Sequence, residues 1–124
     1  MPYNILVVDD DKTTADATAD MLRLLDHHVT VAYGPRAAMA QIGLATLDIV
    51  FLDINMPGVS GIEVCRYLRR DPRLATLPII VVSANDEKHY KEAAFGAGAN
   101  GYIVKPAMLE DLEAALRHVK PPRT

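Results

Sequence analysis

Acidic, hydroxyl and ammonium side chains follow four short apolar runs of this sequence. Residues 5–8 precede Asp9, Asp10 and Asp11, residues 49–52 precede Asp53, residues 79–82 precede Ser83, and residues 102–104 precede Lys105. If these runs are parallel strands, their carboxyl ends meet at one edge of a sheet, where ligands bind in open α/β folds. The pattern therefore predicts that these six side chains share one site.

The donor types at this site indicate a particular chemistry. Crowded carboxylates repel one another and resist ionisation unless a cation neutralises them. The oxygen-only donors Asp9, Asp10 and Asp53 suit Mg²⁺, or Mn²⁺ in its place. Lys105 adds an ammonium and Ser83 a hydroxyl, and both groups hold phosphoryl oxygens. The combination indicates metal-assisted handling of a phosphoryl group.

Four of these residues also have a simpler structural explanation. Asp11 fits better as the N-cap of a helix starting near Lys12 than as a ligand. Asp53 is suited to a turn, Ser83 to the start of a helix, and Lys105 to a solvated surface. Their joint occurrence at consecutive strand ends favours a functional site over four separate coincidences.

The elements that position this site follow from hydrophobic periodicity. Five nearly continuous apolar runs, residues 5–8, 29–32, 49–52, 79–82 and 102–104, are typical of parallel strands covered on both faces. The stretches between them have helical spacing, with apolar stripes at Ala15, Ala19, Leu22 and Leu25 and at Leu109, Leu112, Leu116 and Val119. Pro35 is suited to open the second helix, and Asn85 is suited to cap the fourth. The third helix is predicted over 61–70. We expect an α/β fold with a doubly wound, five-stranded parallel sheet and five helices.

Length, charge and composition bound the function. The 124 residues fit one domain, expected over 1–119, with 120–124 as a tail or the start of a linker because two prolines cannot continue a helix. The net charge of −3 argues against direct nucleic-acid binding, and Arg66, Arg69 and Arg70 are interpreted as a solvated helix face. A single cysteine and the absence of a signal or membrane segment predict a cytoplasmic protein with no membrane association.

With these residues in place, the chain resembles the receiver domain of two-component response regulators. The matching segments are ILVVDDD at 5–11, IVFLDINMPGVSGIEV at 49–64, IIVVSA at 79–84 and GANGYIVKP at 98–106. The resemblance runs from about Asn4 to Val119 and implies the flavodoxin-like strand order 2-1-3-4-5. Serine at 83 replaces the commoner threonine and keeps the hydroxyl. Because family members often continue into an output domain, we expect either a single-domain regulator or an isolated receiver fragment.

The resemblance also implies roles for individual residues. Asp53 is the phosphoacceptor, and Mg²⁺ is held by Asp9, Asp10, Asp53 and the backbone carbonyl of Asn55. Ser83 and Lys105 contact the phosphoryl group, Tyr102 is the aromatic switch residue, and the Lys105-Pro106 bond is cis. Residues Asn55 and Asn85 tune the rate of dephosphorylation.

The expected function is a phosphoacceptor switch, a regulatory domain that catalyses only its own phosphorylation and dephosphorylation and is otherwise not an enzyme. The donor is a sensor histidine kinase or a histidine phosphotransfer protein, the output partner is unknown, and a phosphorylation-dependent homodimer is left open. The alternative is a Mg²⁺-dependent aspartate-nucleophile phosphatase acting on small phosphate esters. Such enzymes usually place a second acid where this chain has Asn55. A flavodoxin-like cofactor binder is disfavoured because the aspartates after the first strand would repel a phosphate.

Overall fold

A computed structural model of the chain describes residues 2–44, 46–56, 58, 60–117 and 119. The predicted tail at 120–124 lies outside the described residues. Five strands form one parallel sheet in the order β2-β1-β3-β4-β5, which confirms the expected fold class and strand order. The strands are β1 (Asn4–Val8), β2 (His28–Ala32), β3 (Ile49–Asp53), β4 (Ile79–Ser83) and β5 (Gly101–Val104).

Helices connect the strands and cover both faces of the sheet. They are α1 (Lys12–Leu24), α2 (Pro35–Leu44), α3 (Gly61–Arg70), α4 (Lys88–Gly96) and α5 (Leu109–Arg117), with a short 3-10 helix at Pro72–Leu74 after α3. None of these helices combines the length and the apolar character that a membrane crossing requires.

The core consists of two apolar layers, one on each face of the sheet. Strand residues alternate between them, so that in β3 Val50 and Leu52 face one layer while Ile49 and Phe51 face the other. The first layer packs α2, α3 and α4 against the sheet, and the second packs α1 and α5. All five residues of β3 are buried, and this explains why the central strands have continuous apolar runs instead of alternating ones.

The helix starts agree with the sequence in most places. Pro35 opens α2 and α3 spans 61–70 as predicted. The Asp11 side chain accepts hydrogen bonds from the backbone N–H groups of Thr13 and Thr14, so Asp11 is the N-cap of α1. The expected cap at Asn85 is wrong, because α4 begins at Lys88 and its N-cap position is Glu87, which makes no side-chain capping bond.

Two further expectations about exposure are corrected. Leu109, placed on the buried stripe of the last helix, is 37% exposed at the first position of α5. Arg69, expected on the solvated face with Arg66 and Arg70, is half-buried and donates three hydrogen bonds to acceptors outside α3. Both differences arise from tertiary packing, which periodicity along one helix does not describe.

Candidate functional site

The predicted residues meet at the carboxyl edge of the sheet. Asp9 follows β1, Asp53 and Ser83 are the last residues of β3 and β4, and Lys105 follows β5. Asp9, Asp53 and Ser83 are 4%, 3% and 0% exposed. Such deep burial of polar side chains is unusual unless they are hydrogen-bonded or paired, and each of these three side chains accepts a hydrogen bond from a backbone N–H two residues further on.

Lys105 joins two of the carboxylates. Its Nζ lies 2.8 Å from Oδ2 of Asp9 and 3.6 Å from Oδ2 of Asp53. The backbone N–H of Lys105 donates to the carbonyl oxygen of Ser83 at 2.8 Å, which anchors the lysine to β4. The Lys105-Pro106 peptide is cis, as the resemblance implied. Burial by itself would lower the pKa of Lys105, but the hydrogen bond to Asp9 and the charges of both carboxylates raise it above its ordinary value. The ammonium therefore stays charged.

Asp53 is a buried carboxylate that resists ionisation. Burial raises its pKa from 3.8 to about 6, and the Asp9 charge pushes it in the same direction. The backbone N–H of Asn55, which donates to Oδ1 at 3.1 Å, and the Lys105 ammonium oppose this rise. Above pH 6 the carboxylate is mainly ionised, in surroundings that favour arrival of a positive or electrophilic group.

The carboxylates of this cluster can serve as ligands for a metal ion that prefers oxygen donors. Asp9, Asp10 and Asp53 each offer one carboxylate oxygen, and the three atoms lie within 4.8 Å of one another. Asp10 is exposed, while the other two are buried. With all three ionised, the Lys105 ammonium leaves two negative charges uncompensated in the cluster. The donor set and this excess charge fit Mg²⁺ or Mn²⁺.

Asp11 contributes differently from its neighbours. Its side chain is occupied with the N-terminus of α1, and its backbone N–H donates to Oδ1 of Asp9 at 3.0 Å. That bond fixes the Asp9 carboxylate so that Oδ2 faces Lys105. Of the two interpretations left open for Asp11, the structure agrees with the cap.

Ser83 and Tyr102 both hold the backbone of Asn85. The Ser83 hydroxyl oxygen accepts from the Asn85 N–H at 3.1 Å, and the half-buried Tyr102 hydroxyl donates to the Asn85 carbonyl at 2.6 Å. The side-chain amide of Asn55 also lies 3.5 Å from the Ser83 oxygen. The segment between β4 and α4 is therefore connected to the site through Ser83 and Tyr102, the two side chains for which the family resemblance implied phosphoryl-contact and switch roles.

Gly61 is a positioning residue that sequence reasoning missed. Its N–H donates to the carbonyl of Ile54 at 3.1 Å, and this bond closes the loop after β3. A Cβ at this position would overlap the carbonyl oxygen of Asp53 and lie 2.6 Å from Cα of Ile54. Only glycine lets α3 start so close to Asp53. The sequence marked Gly61 as a helix start, but gave no sign of this backbone contact.

The comparisons with known proteins agree with the fold. The model of the response regulator receiver domain family matches residues 5–117, so the chain belongs to this family. It is 36% identical over 116 residues to the sensory transduction protein RegX3 of Mycobacterium tuberculosis, and 39% identical over 117 residues to the response regulator MprA of Mycolicibacterium vanbaalenii. Each alignment covers 94% of this chain and 50% of the relative. The chain thus spans about half the length of these curated relatives.

Solved structures give the same result. The chemotaxis response regulator CheY4 of Vibrio cholerae superimposes with a TM-score of 0.88 at 26% identity, covering 94% of this chain and 98% of that one. The BeF3-activated receiver domain of DrrB superimposes with a TM-score of 0.84, also at 26% identity, covering 94% and 96%. The flavodoxin-like receiver fold is therefore shared along nearly the whole chain.

Proposed function

We propose that this chain is a phosphoacceptor switch that takes a phosphoryl group from a phosphohistidine onto Asp53. The observation that carries the proposal is the placement of the buried Asp53 carboxylate beside Lys105, at 3.6 Å, within an acidic cluster that suits Mg²⁺. Membership of the receiver family, in which two-component regulators are found, supports the same function.

The transfer step needs only one nucleophile. An ionised Asp53 oxygen attacks the phosphorus atom, an acyl phosphate O–P bond forms, and the N–P bond of the donor breaks. The bond's electron pair returns to the imidazole nitrogen of the donor. Because Asp53 has a pKa of about 6, its nucleophilic form predominates at neutral pH.

The negative charge of the phosphoryl group is offset by residues that already lie at the site. The Lys105 ammonium lies within reach of a phosphoryl group on Asp53 and offsets its negative charge. Asp9, Asp10, Asp53 and the backbone carbonyl of Asn55 are the residues that would hold Mg²⁺. When bound, the ion neutralises the carboxylates and the phosphoryl oxygens.

The response is read at the segment that precedes α4. When the Ser83 side chain moves so that its hydroxyl donates to the phosphoryl group, its oxygen is displaced from the Asn85 N–H, and one of the two hydrogen bonds on the Asn85 backbone is lost. Tyr102 then repacks, and the surface formed by α4, β5 and α5 differs between the two states. Asn55 and Asn85 flank the acyl phosphate and govern water access to it.

The donor in this proposal is a sensor histidine kinase or a histidine phosphotransfer protein, and the switched surface regulates an output partner or domain. The proposed function requires neither direct nucleic-acid binding nor membrane association by this domain. The free and buried Cys65 suits a reducing compartment, and we place the exchange in the cytoplasm.

Incubation with acetyl phosphate and Mg²⁺, followed by intact-mass measurement, tests the function. The parent chain should gain one phosphoryl group that maps to Asp53, and Asp53→Asn should gain none. Asp20→Asn, at an exposed carboxylate of α1, is the matched control and should be modified like the parent. A label on another residue would refute the assignment. Continuous turnover of a small phosphate ester without a lasting adduct would instead favour the phosphatase.

A further inference from the structure

The two ends of α4 are held in different ways. At the N-terminal end, the Glu87 cap position makes no side-chain bond and residues 86–89 are exposed. Within the described part of the chain, the backbone of the preceding Asn85 bonds to Ser83 and Tyr102, the side chains that respond in the proposed function, while the exposed Asp86 pairs with Lys91 of α4 at 2.7 Å. At the C-terminal end, Ala94, Ala97 and Ala99 are buried. The N-terminal end of α4 is thus held by side chains that change partners in the proposed function, while its C-terminal end is packed into the core.

Arg69 of α3 fixes the far end. Its guanidinium donates to the carbonyl of Gly98 at 3.0 Å, the carbonyl of Leu74 at 2.9 Å and Oδ1 of Asn100 at 2.8 Å. We call these three bonds the Arg69 anchor. They join α3, the 3-10 helix and the turn between α4 and β5, so the planar guanidinium links three segments through one hydrogen bond from each of its three nitrogens.

The turn is shaped to receive this arginine. Ala99 N–H bonds to the Ala94 carbonyl and Gly98 N–H to the Phe95 carbonyl, the Schellman pattern with Gly98 at a φ of 108°. This arrangement turns the Gly98 carbonyl toward Arg69. A Cβ on Gly98 would lie 2.6 Å from Cγ of Arg69, so the glycine is needed for the close approach as well as for the backbone angle.

Asn100 extends the anchor into the sheet. Its Oδ1 accepts from the Ile79 N–H at 2.9 Å as well as from Arg69, and its own N–H donates to the Ile79 carbonyl at 2.8 Å. The start of β4 is thereby coupled to the end of α4. In addition, the Cys65 thiol donates to the Ala97 carbonyl at 3.4 Å. The C-terminal end of α4 is bound to elements that lie away from the site.

From this asymmetry we propose that Arg69 is a positioning residue that makes α4 pivot about its C-terminal end when the domain switches. The inference rests on the proposed function and adds the direction of the movement. From Ala97 to Lys88 the helix is about 14 Å long, so a tilt of about 10° would move its N-terminus by about 2 Å and its C-terminus hardly at all. Loss of the anchor would convert the pivot into a displacement of the whole helix.

Residue-resolved amide hydrogen exchange on the full chain tests this proposal. In the unphosphorylated protein, Arg69→Ala should speed exchange at residues 97–100 by about tenfold or more, because charge-assisted hydrogen bonds are lost there. Arg70→Ala is the matched control, since it removes the same charge from an exposed position of α3 next to Arg69, and should leave exchange at residues 97–100 unchanged. Arg69→Lys keeps one donor group and should give an intermediate effect, which also serves if the alanine variant does not fold.

The phosphorylated protein tests the pivot itself. After acetyl phosphate and Mg²⁺, the parent and Arg70→Ala should show exchange and chemical-shift changes that are large at residues 85–91 and fade by residues 97–100. In Arg69→Ala the changes should extend through residue 100, although phosphoryl uptake by mass is unchanged. Equal changes at both ends of α4 in the parent, or identical patterns for the Arg69 and Arg70 variants, would overturn the proposal. If mass shows no phosphoryl uptake in any variant, the proposed function fails, and unchanged exchange at residues 97–100 in unphosphorylated Arg69→Ala would still refute the anchor.

Discussion

Replacing Asp53 with asparagine should stabilise the metal-free domain at neutral pH. The carboxylate is 3% exposed, and burial together with the Asp9 charge raises its pKa from 3.8 to about 6. An amide has the same shape, carries no charge and can still accept the Asn55 hydrogen bond. The variant therefore removes the cost of holding an ionised group at this position, while Lys105 keeps its bond to Asp9.

The size and sign of the effect follow from the pKa. The folded state binds more protons than the unfolded state between pH 4 and 6, so the free energy of unfolding of the parent falls as pH rises through that range. The difference between 3.8 and about 6 corresponds to at most about 3 kcal/mol, at about 1.4 kcal/mol for each pH unit. Asp53→Asn should escape this fall, which makes it up to about 3 kcal/mol more stable than the parent at pH 7.5 and nearly equal at pH 4.

Urea unfolding at pH 4, 6 and 7.5, in buffer containing a chelator, measures the difference. Titrating groups that do not contact Asp53 cancel in the comparison, including His27, whose pKa is lowered by burial. Asp20→Asn is the matched control, because it makes the same chemical change at a side chain that is 73% exposed. Adding Mg²⁺ should stabilise the parent more than Asp53→Asn and narrow the gap. A variant less stable than the parent at pH 7.5, or a gap that does not change with pH, would refute the reasoning.

Three further predictions concern the other site residues. Asp10→Asn should lower Mg²⁺ affinity by about tenfold or more in calorimetric titration, since a charged ligand is lost, and equal affinities would contradict the assignment. Lys105→Ala should still bind Mg²⁺ but uncouple phosphorylation of Asp53 from the amide chemical shifts of α4; a normal response would identify the lysine as structural. Asn85→Leu should prolong the phosphorylated state by shielding the acyl phosphate from water, and Asn55→Lys should do so through its ammonium. Decay rates of both variants equal to that of the parent would place control of water access elsewhere.

Much of the architecture could be predicted from local patterns. Each nearly continuous apolar run became a strand within one residue of the predicted bounds. The signal is clearest in β3 and β4, where every residue is buried, because a strand covered on both faces needs apolar residues at nearly every position. The convergence of Asp9, Asp53 and Lys105 was also predictable, since parallel strands all end at the same edge of the sheet. The residues of the candidate site could therefore be named from the sequence once the sheet was recognised.

Contacts between distant segments were decided only by the tertiary structure. The Asn85 backbone bonds to Ser83 and Tyr102 instead of capping α4. Arg69 follows the buried residues Cys65 and Leu68 along α3, but the three acceptors of its anchor lie outside this helix and are supplied by the packed fold. Gly61 must be glycine because of the Asp53 backbone, not because of its own helix. Periodicity and capping preferences report on neighbours within one or two helical turns, whereas these contacts depend on how α3 and α4 pack against the sheet.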